Sequence, residues 1–216
     1  MGVKVRERKP KDRVSDELLA YHEAGHVVAA HRLYRPNHRL PVFKLADSVT
    51  IEPDDEGYVN MTADRRVPSQ LKDQLVAEPE TRDDLRGLVE DTVVSLLAGF
   101  AAEHRKEKLP KEEAWGFVDV FAYAVVNKER LKKERIFAEH TDVTEAWEYL
   151  EVFEPYPVFR REWLRELFGR TWQSIGDWWP DIERVANALL EKRTLSAPEI
   201  TDLLCGCDKS RDKNPK

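Results

Sequence analysis

The sequence predicts a mainly α-helical domain carrying one small β-hairpin, and three observations predict it. Apolar residues recur at helical spacing, as in Leu85, Leu88, Val89, Leu96, Leu97 and Phe100. One stretch alone, FKLADSVTIEP followed by GYVNM, is rich in β-branched and aromatic residues, with acidic turn residues and Gly57 between its halves. Charged residues make up 35% of the chain and hydrophobic ones 41%, which suits a helical protein with much surface and a sizeable core.

Residues 1–14 are basic and lack apolar periodicity, so they read as a flexible arm. A first helix starts at Ser15 or Asp16, either of which can cap it, and runs to about Tyr34, before Pro36. The hairpin follows, over Ser48–Asn60. After Pro79, Thr81 with Asp84 three residues later resembles a capping box and opens a helix with one buried face. Further helices cover roughly Glu112 to Ala138, the stretch after Thr141 as far as Pro155 and Pro157, and about Arg160 to Asp177. Pro180 opens the next, with Ile182, Val185, Ala186, Leu189 and Leu190 on its apolar face. Ser196 and Glu199 form a capping box for a short last helix. Residues 15–206 read as a single domain and 207–216 as a flexible tail.

Composition removes several classes of function. A net charge of −6 argues against binding nucleic acid by phosphate neutralisation, so no nucleic-acid partner is expected. The longest apolar run, Val93 to Ala102, is about half of the roughly 20 residues that span a bilayer. The first twenty residues are charged throughout, unlike a secretory leader. Cys205 and Cys207 are too close for an unstrained disulfide and too few for a zinc site; reduced thiols fit a cytoplasmic protein.

One motif carries chemistry. His22-Glu23-Ala24-Gly25-His26 is an HExxH inside the first predicted helix. Residues four apart share a helix face, so both imidazoles can grip one metal ion. Glu23, beside the first of them, is placed to take a proton from a water whose pKa zinc lowers towards about 7. The motif arises by chance in a chain of this composition with a probability of about 0.02. Two surface histidines and a solvated Glu are the plain alternative, but Leu18 and Leu19 before the motif and Val27 to Ala30 after it read as a buried helix.

YHEAGHVVAA resembles the active-site helix of the FtsH-type metalloproteases, which carry HEAGH with the same small residues. VTIEPDDEGYV (49–59) is similar to that family's strand segment after the metal helix, and LLAGFAAE (96–103) to its small-residue helix. ALLEKRTLSAPEITDLL (188–204) resembles its closing helices, and the matches fall in the family's order over nearly the whole chain. The resemblance implies a multi-helix metallopeptidase domain with zinc as cofactor. It also implies a third ligand, an aspartate in the pattern Asp, aliphatic, two variable residues, Ala. Asp142-Val143-Thr144-Glu145-Ala146 fits, with Thr141 ahead as a cap, and a helix start would orient the carboxylate. Asp142 lies 116 residues after His26, longer than the family's spacing. Asp119 falls nearer the expected distance but has Tyr123 four residues on and apolar neighbours. The pattern favours Asp142 and the spacing Asp119.

Glu103 is open between a carboxylate partner for a ligating His and an ordinary charged helix end. His31, His38, His104 and His140 read as surface residues, and Trp163, Trp172, Trp178 and Trp179 as core or subunit interface. The FtsH proteases join this domain to membrane helices and an ATP-driven unfoldase, whereas no GxxxxGK[ST] loop occurs here. The resulting expectation is an ATP-independent zinc endopeptidase, with His22, His26 and Asp142 on the metal and Glu23 as base, that cleaves flexible or unfolded polypeptide. A homo-oligomer or a separate unfoldase partner is left open. The alternatives are a catalytically silent adaptor that keeps the peptidase fold and a hydrolase of non-peptide amides.

Overall fold

In the computed structural model, α1 (Asp16–Leu33) and α3 (Arg82–Lys106) cross at the centre of the molecule, and the other elements pack around this pair. The structure describes residues 15–33, 46–51, 57–60, 68–126 and 142–205; the predicted arm and tail, His38, His140, Thr141 and Cys207 lie outside them. Among the described residues the fold is mainly α, with α2 (Pro68–Ala77), α4 (Lys111–Val126), α5 (Asp142–Glu151), α6 (Pro157–Asp177), α7 (Trp179–Lys192) and α8 (Ala197–Cys205) completing the helices.

The α1–α3 contact is built from small residues. Ala20, Ala24, Ala98, Ala101 and Ala102 are all fully buried. A Cβ on Gly25 would stand 2.5 Å from the Ala98 carbonyl oxygen and 3.0 Å from Ala102 Cβ, so only glycine permits this approach. Ser15 caps α1 as predicted: its Oγ accepts the Leu18 N–H at 3.2 Å. Asp16 and Glu17 in the first turn and Arg32 in the last suit the helix dipole.

The hairpin forms where predicted, with β1 (Ser48–Ile51) antiparallel to β2 (Gly57–Asn60). A third strand, β3 (Thr194–Ser196), joins the other edge of β1 and makes the order β2-β1-β3. The sequence marks only Ser196 of this TLS stretch, as a helix cap. Three residues are too short to show a period, and β3 owes its place to buried Leu195 and to its pairing with β1. The Ser196–Glu199 box does form: Glu199 Oε2 accepts the Ser196 N–H at 2.9 Å and its hydroxyl at 2.8 Å.

Other expectations are corrected. Thr81 does not cap α3; its hydroxyl donates to the Glu78 carbonyl at 2.7 Å inside a short 3₁₀ turn, Pro79–Thr81, that feeds the helix. Helix α2 had no counterpart in the sequence reading, because only Leu71 among its residues is buried. The helix expected over Glu112 to Ala138 is present as α4, and residues 127–138 lie outside the described residues. His104 is a buried residue rather than a surface one, stacked on Phe100 at 4.0 Å. The four tryptophans are half-buried against the core. No described helix is long and apolar enough to cross a membrane.

Candidate metal centre

Helix α1 turns His22 and His26 towards α3 and the start of α5. There His22 Nε2 and His26 Nε2 stand 3.1 Å apart, and Asp142 Oδ2 lies 3.1 Å from the first and 3.3 Å from the second. The three ligand atoms form a nearly equilateral triangle. Donors about 2.0–2.1 Å from a tetrahedral zinc stand about 3.3–3.4 Å from one another, so the triangle fits that ion to within a few tenths of an ångström.

The hydrogen bonds behind the rings fix which nitrogens face inward. His26 Nδ1 lies 2.8 Å from the Ser95 carbonyl oxygen, which can only accept, so Nδ1 carries a hydrogen. His22 Nδ1 lies 3.2 Å from Glu103 Oε2, again an acceptor. In their neutral forms both rings therefore aim Nε2 lone pairs at the carboxylate of Asp142. Three such atoms set this close call for positive charge between them, which protons or a metal ion can supply, and imidazole with carboxylate is a donor set that suits zinc.

The electrostatics point the same way. Burial disfavours the His22 imidazolium, but hydrogen bonds to Asp142 and Glu103 outweigh it and push the pKa up to about 10. His26 is raised likewise: burial opposes the charge and Asp142 overcomes it. Burial works against the Asp142 carboxylate too, yet the charges and hydrogen bonds of His26 and His22 hold it well below the usual carboxylate range. The protein's own charges thus favour positive charge at the centre of the triangle, and a metal ion competes with protons for it.

Helix α3 shapes the back of the site. A Cβ on Gly99 would lie 2.3 Å from His26 Nε2 and 2.7 Å from its Cε1, so the ring lies against bare backbone. Glu23 is buried, 5% exposed, and near enough to His26, His22 and Asp142 to feel their charges. Burial raises its pKa, with the two histidines pulling the other way.

The two aspartates separate cleanly. Asp142 opens α5 beside the histidines. Asp119 sits on α4, where Arg161 holds both its oxygens at 2.5 and 2.7 Å. Glu103 is the carboxylate partner of His22, the choice the sequence left open. Glu103, His104 and Glu107 also cluster within 4.8 Å at the end of α3, but His22 engages Glu103, and His104 Nδ1 donates to the Phe100 carbonyl at 3.0 Å. The Ser95 carbonyl was missed, and no side-chain pattern could have revealed it because any residue supplies one. Gly99 could have been read from the small-residue run LLAGFAAE.

Comparison with known proteins adds no relative: no protein-family model and no curated protein matches this sequence.

Proposed function

We propose that this chain is a zinc-dependent endopeptidase of the FtsH-like type, acting on flexible or unfolded polypeptide without ATP of its own. One observation carries the reading: both HExxH histidines are held by their Nδ1 atoms so that Nε2 of each meets Asp142 Oδ2 within 3.3 Å. His22, His26 and Asp142 would hold the ion, with the Ser95 carbonyl and Glu103 fixing the ring orientations. Bound there, zinc supplies Lewis-acid polarisation of a scissile carbonyl and a water of lowered pKa.

The remaining work falls to the chain itself. The Glu23 carboxylate accepts the proton of the attacking water and passes it to the leaving amine nitrogen. Its buried position keeps the proton from exchanging freely with solvent. Strand β2 is an edge of the sheet and packs near α1. Its backbone can align an extended peptide by strand addition, which suits flexible substrates rather than folded ones.

The test is Glu23→Gln. The variant should keep about one zinc per chain and lose hydrolysis of a loosely folded protein by about 10² to 10⁴. Unchanged turnover removes Glu23 as base, and a wild-type protein that binds zinc and unfolded chains but never cleaves them is an adaptor instead. Turnover should be the same with and without added ATP.

A further inference from the structure

Helix α4 has two apolar faces and buries one of them. Ala114, Val118 and Ala122, spaced four residues apart, are buried, and α4 packs against α5 and α6. Phe117 and Val120, three residues apart on the adjoining face, are 41% and 43% exposed. Packing of the fold accounts for the first face and leaves the second largely open to solvent.

The open face leads towards the metal centre. The bare backbone of Gly99 lies against His26 Nε2, so the next side chain on α3, Phe100, starts beside the triangle. Phe100 is partly buried and stacks on the His104 ring at 4.0 Å. His104 in turn lies 5.2 Å from the Phe117 ring, which carries the contact from α3 to α4. Its Nδ1 donates to the Phe100 carbonyl at 3.0 Å, which holds the middle ring of the stack in place. Phe100, His104, Phe117 and Val120 thus form one shelf that begins a single residue from the backbone under His26.

The charges at the edge of this shelf are acidic. Glu107 lies near His104, and Glu113 stands one turn before Phe117 on the same side of α4, both exposed. An apolar side chain laid on the shelf sheds water, whereas a carboxylate meets like charge. An extended chain advances about 3.3 Å per residue. The side chain next to a scissile carbonyl at the triangle therefore falls among the surfaces that flank it, and Phe100 opens the apolar one on the α4 side.

We propose that this shelf seats a large apolar side chain of the polypeptide substrate beside the scissile bond, which makes Phe117 and Val120 specificity-determining residues. The inference rests on the peptidase reading and narrows its substrates. Large apolar side chains are mostly buried in folded proteins and bared in unfolded ones, so the shelf also favours unfolded chains.

The test measures binding to zinc-loaded protein by titration calorimetry, so that it does not depend on turnover. Its probes are zinc-chelating hydroxamates carrying a benzyl, a methyl or a carboxymethyl side chain. Two series are used, with the side chain on the acyl or on the amine side of the chelating group, because a shelf beside the metal can serve either side of the bond. In one series the benzyl compound should bind at least about tenfold more tightly than the methyl compound, and the carboxymethyl compound most weakly. Phe117→Ser/Val120→Ser, at two exposed positions, should bring benzyl and methyl to within about threefold of each other. Zinc content and affinity for the methyl compound should stay as in wild type. Val120→Asp alone should also weaken the benzyl compound. Equal affinities within both series, or a benzyl preference that survives these variants, overturns the shelf and leaves the peptidase reading standing. Wild-type protein that takes up no zinc, or takes it up and binds none of the compounds, overturns both.

Discussion

Asp142 and Asp119 answer the same electrostatic problem in opposite ways. Both are partly buried carboxylates on helices that pack against the core. Asp119 is neutralised from within, by a bidentate contact with Arg161. Asp142 faces two imidazoles whose outer nitrogens are already committed to Ser95 and Glu103. Neither ring carries a fixed charge as an arginine does. A carboxylate paired with a permanent cation is closed, whereas one facing two imidazoles can exchange their protons for a metal ion. That difference, not distance along the chain, separates a candidate metal ligand from an ion pair.

The largest effect should come from breaking the open pair. Asp142→Ala should leave no zinc on the protein after dialysis at sub-micromolar free metal and should abolish hydrolysis, because two histidines alone hold the ion poorly. Asp119→Ala should retain about one zinc per chain, since none of its contacts reaches the histidines. Metal analysis of both variants decides between them. Zinc kept in the first and lost in the second reverses the assignment.

Next in size is Gly99→Ala. The new methyl would overlap the His26 ring, which must swing away from the triangle. A ring at the end of a side chain moves easily, and alanine favours a helix over glycine by about 0.5–1 kcal/mol. The cost therefore falls on the metal: zinc affinity should drop about 100-fold or more, while the metal-free thermal midpoint changes little. A variant that keeps its zinc but unfolds early would show that Gly99 serves packing rather than the site.

Glu103→Gln should follow, with about 10- to 100-fold weaker zinc binding. The amide oxygen can still accept the His22 Nδ1–H, but the charge that makes the ring a better donor is gone. Glu103→Ala should weaken binding further than Gln does. Equal effects of both would place the role of Glu103 in packing alone.

The sequence revealed the two halves of this comparison unequally. HExxH spacing put two histidines on one helix face, and the family pattern starting at Asp142 singled out the carboxylate that the fold brings beside them, because both signals are local. Asp119 was ambiguous because its partner, Arg161, is 42 residues away, and no periodicity links α4 to α6. Strand β3 and the Ser95 carbonyl escaped for a related reason. One exists only through pairing with β1, and the other is a backbone atom placed by the α1–α3 crossing. Local patterns specify which chemistry a segment can offer, and tertiary packing decides what completes it.

The smallest effect belongs to the closed pair. Arg161 is 52% exposed and Asp119 29%, so solvent screens their attraction despite the good geometry. Exposed pairs of this kind contribute about 0.2–1 kcal/mol, and the bidentate contact argues for the upper half of that range. The pair ties α4 to α6, and neither helix carries a residue of the proposed metal site. Asp119→Ala should therefore lower the free energy of unfolding by no more than about 1 kcal/mol, with zinc content and turnover unchanged. Arg161→Ala should cost a similar amount, and the double variant little more than either single one, because both remove the same contact. Raised salt should shrink the difference from wild type. Urea unfolding of the four proteins measures all of this. Loss of several kcal/mol in Asp119→Ala, or a change in zinc content, would mean that Asp119 is not the closed, structural pair its geometry describes.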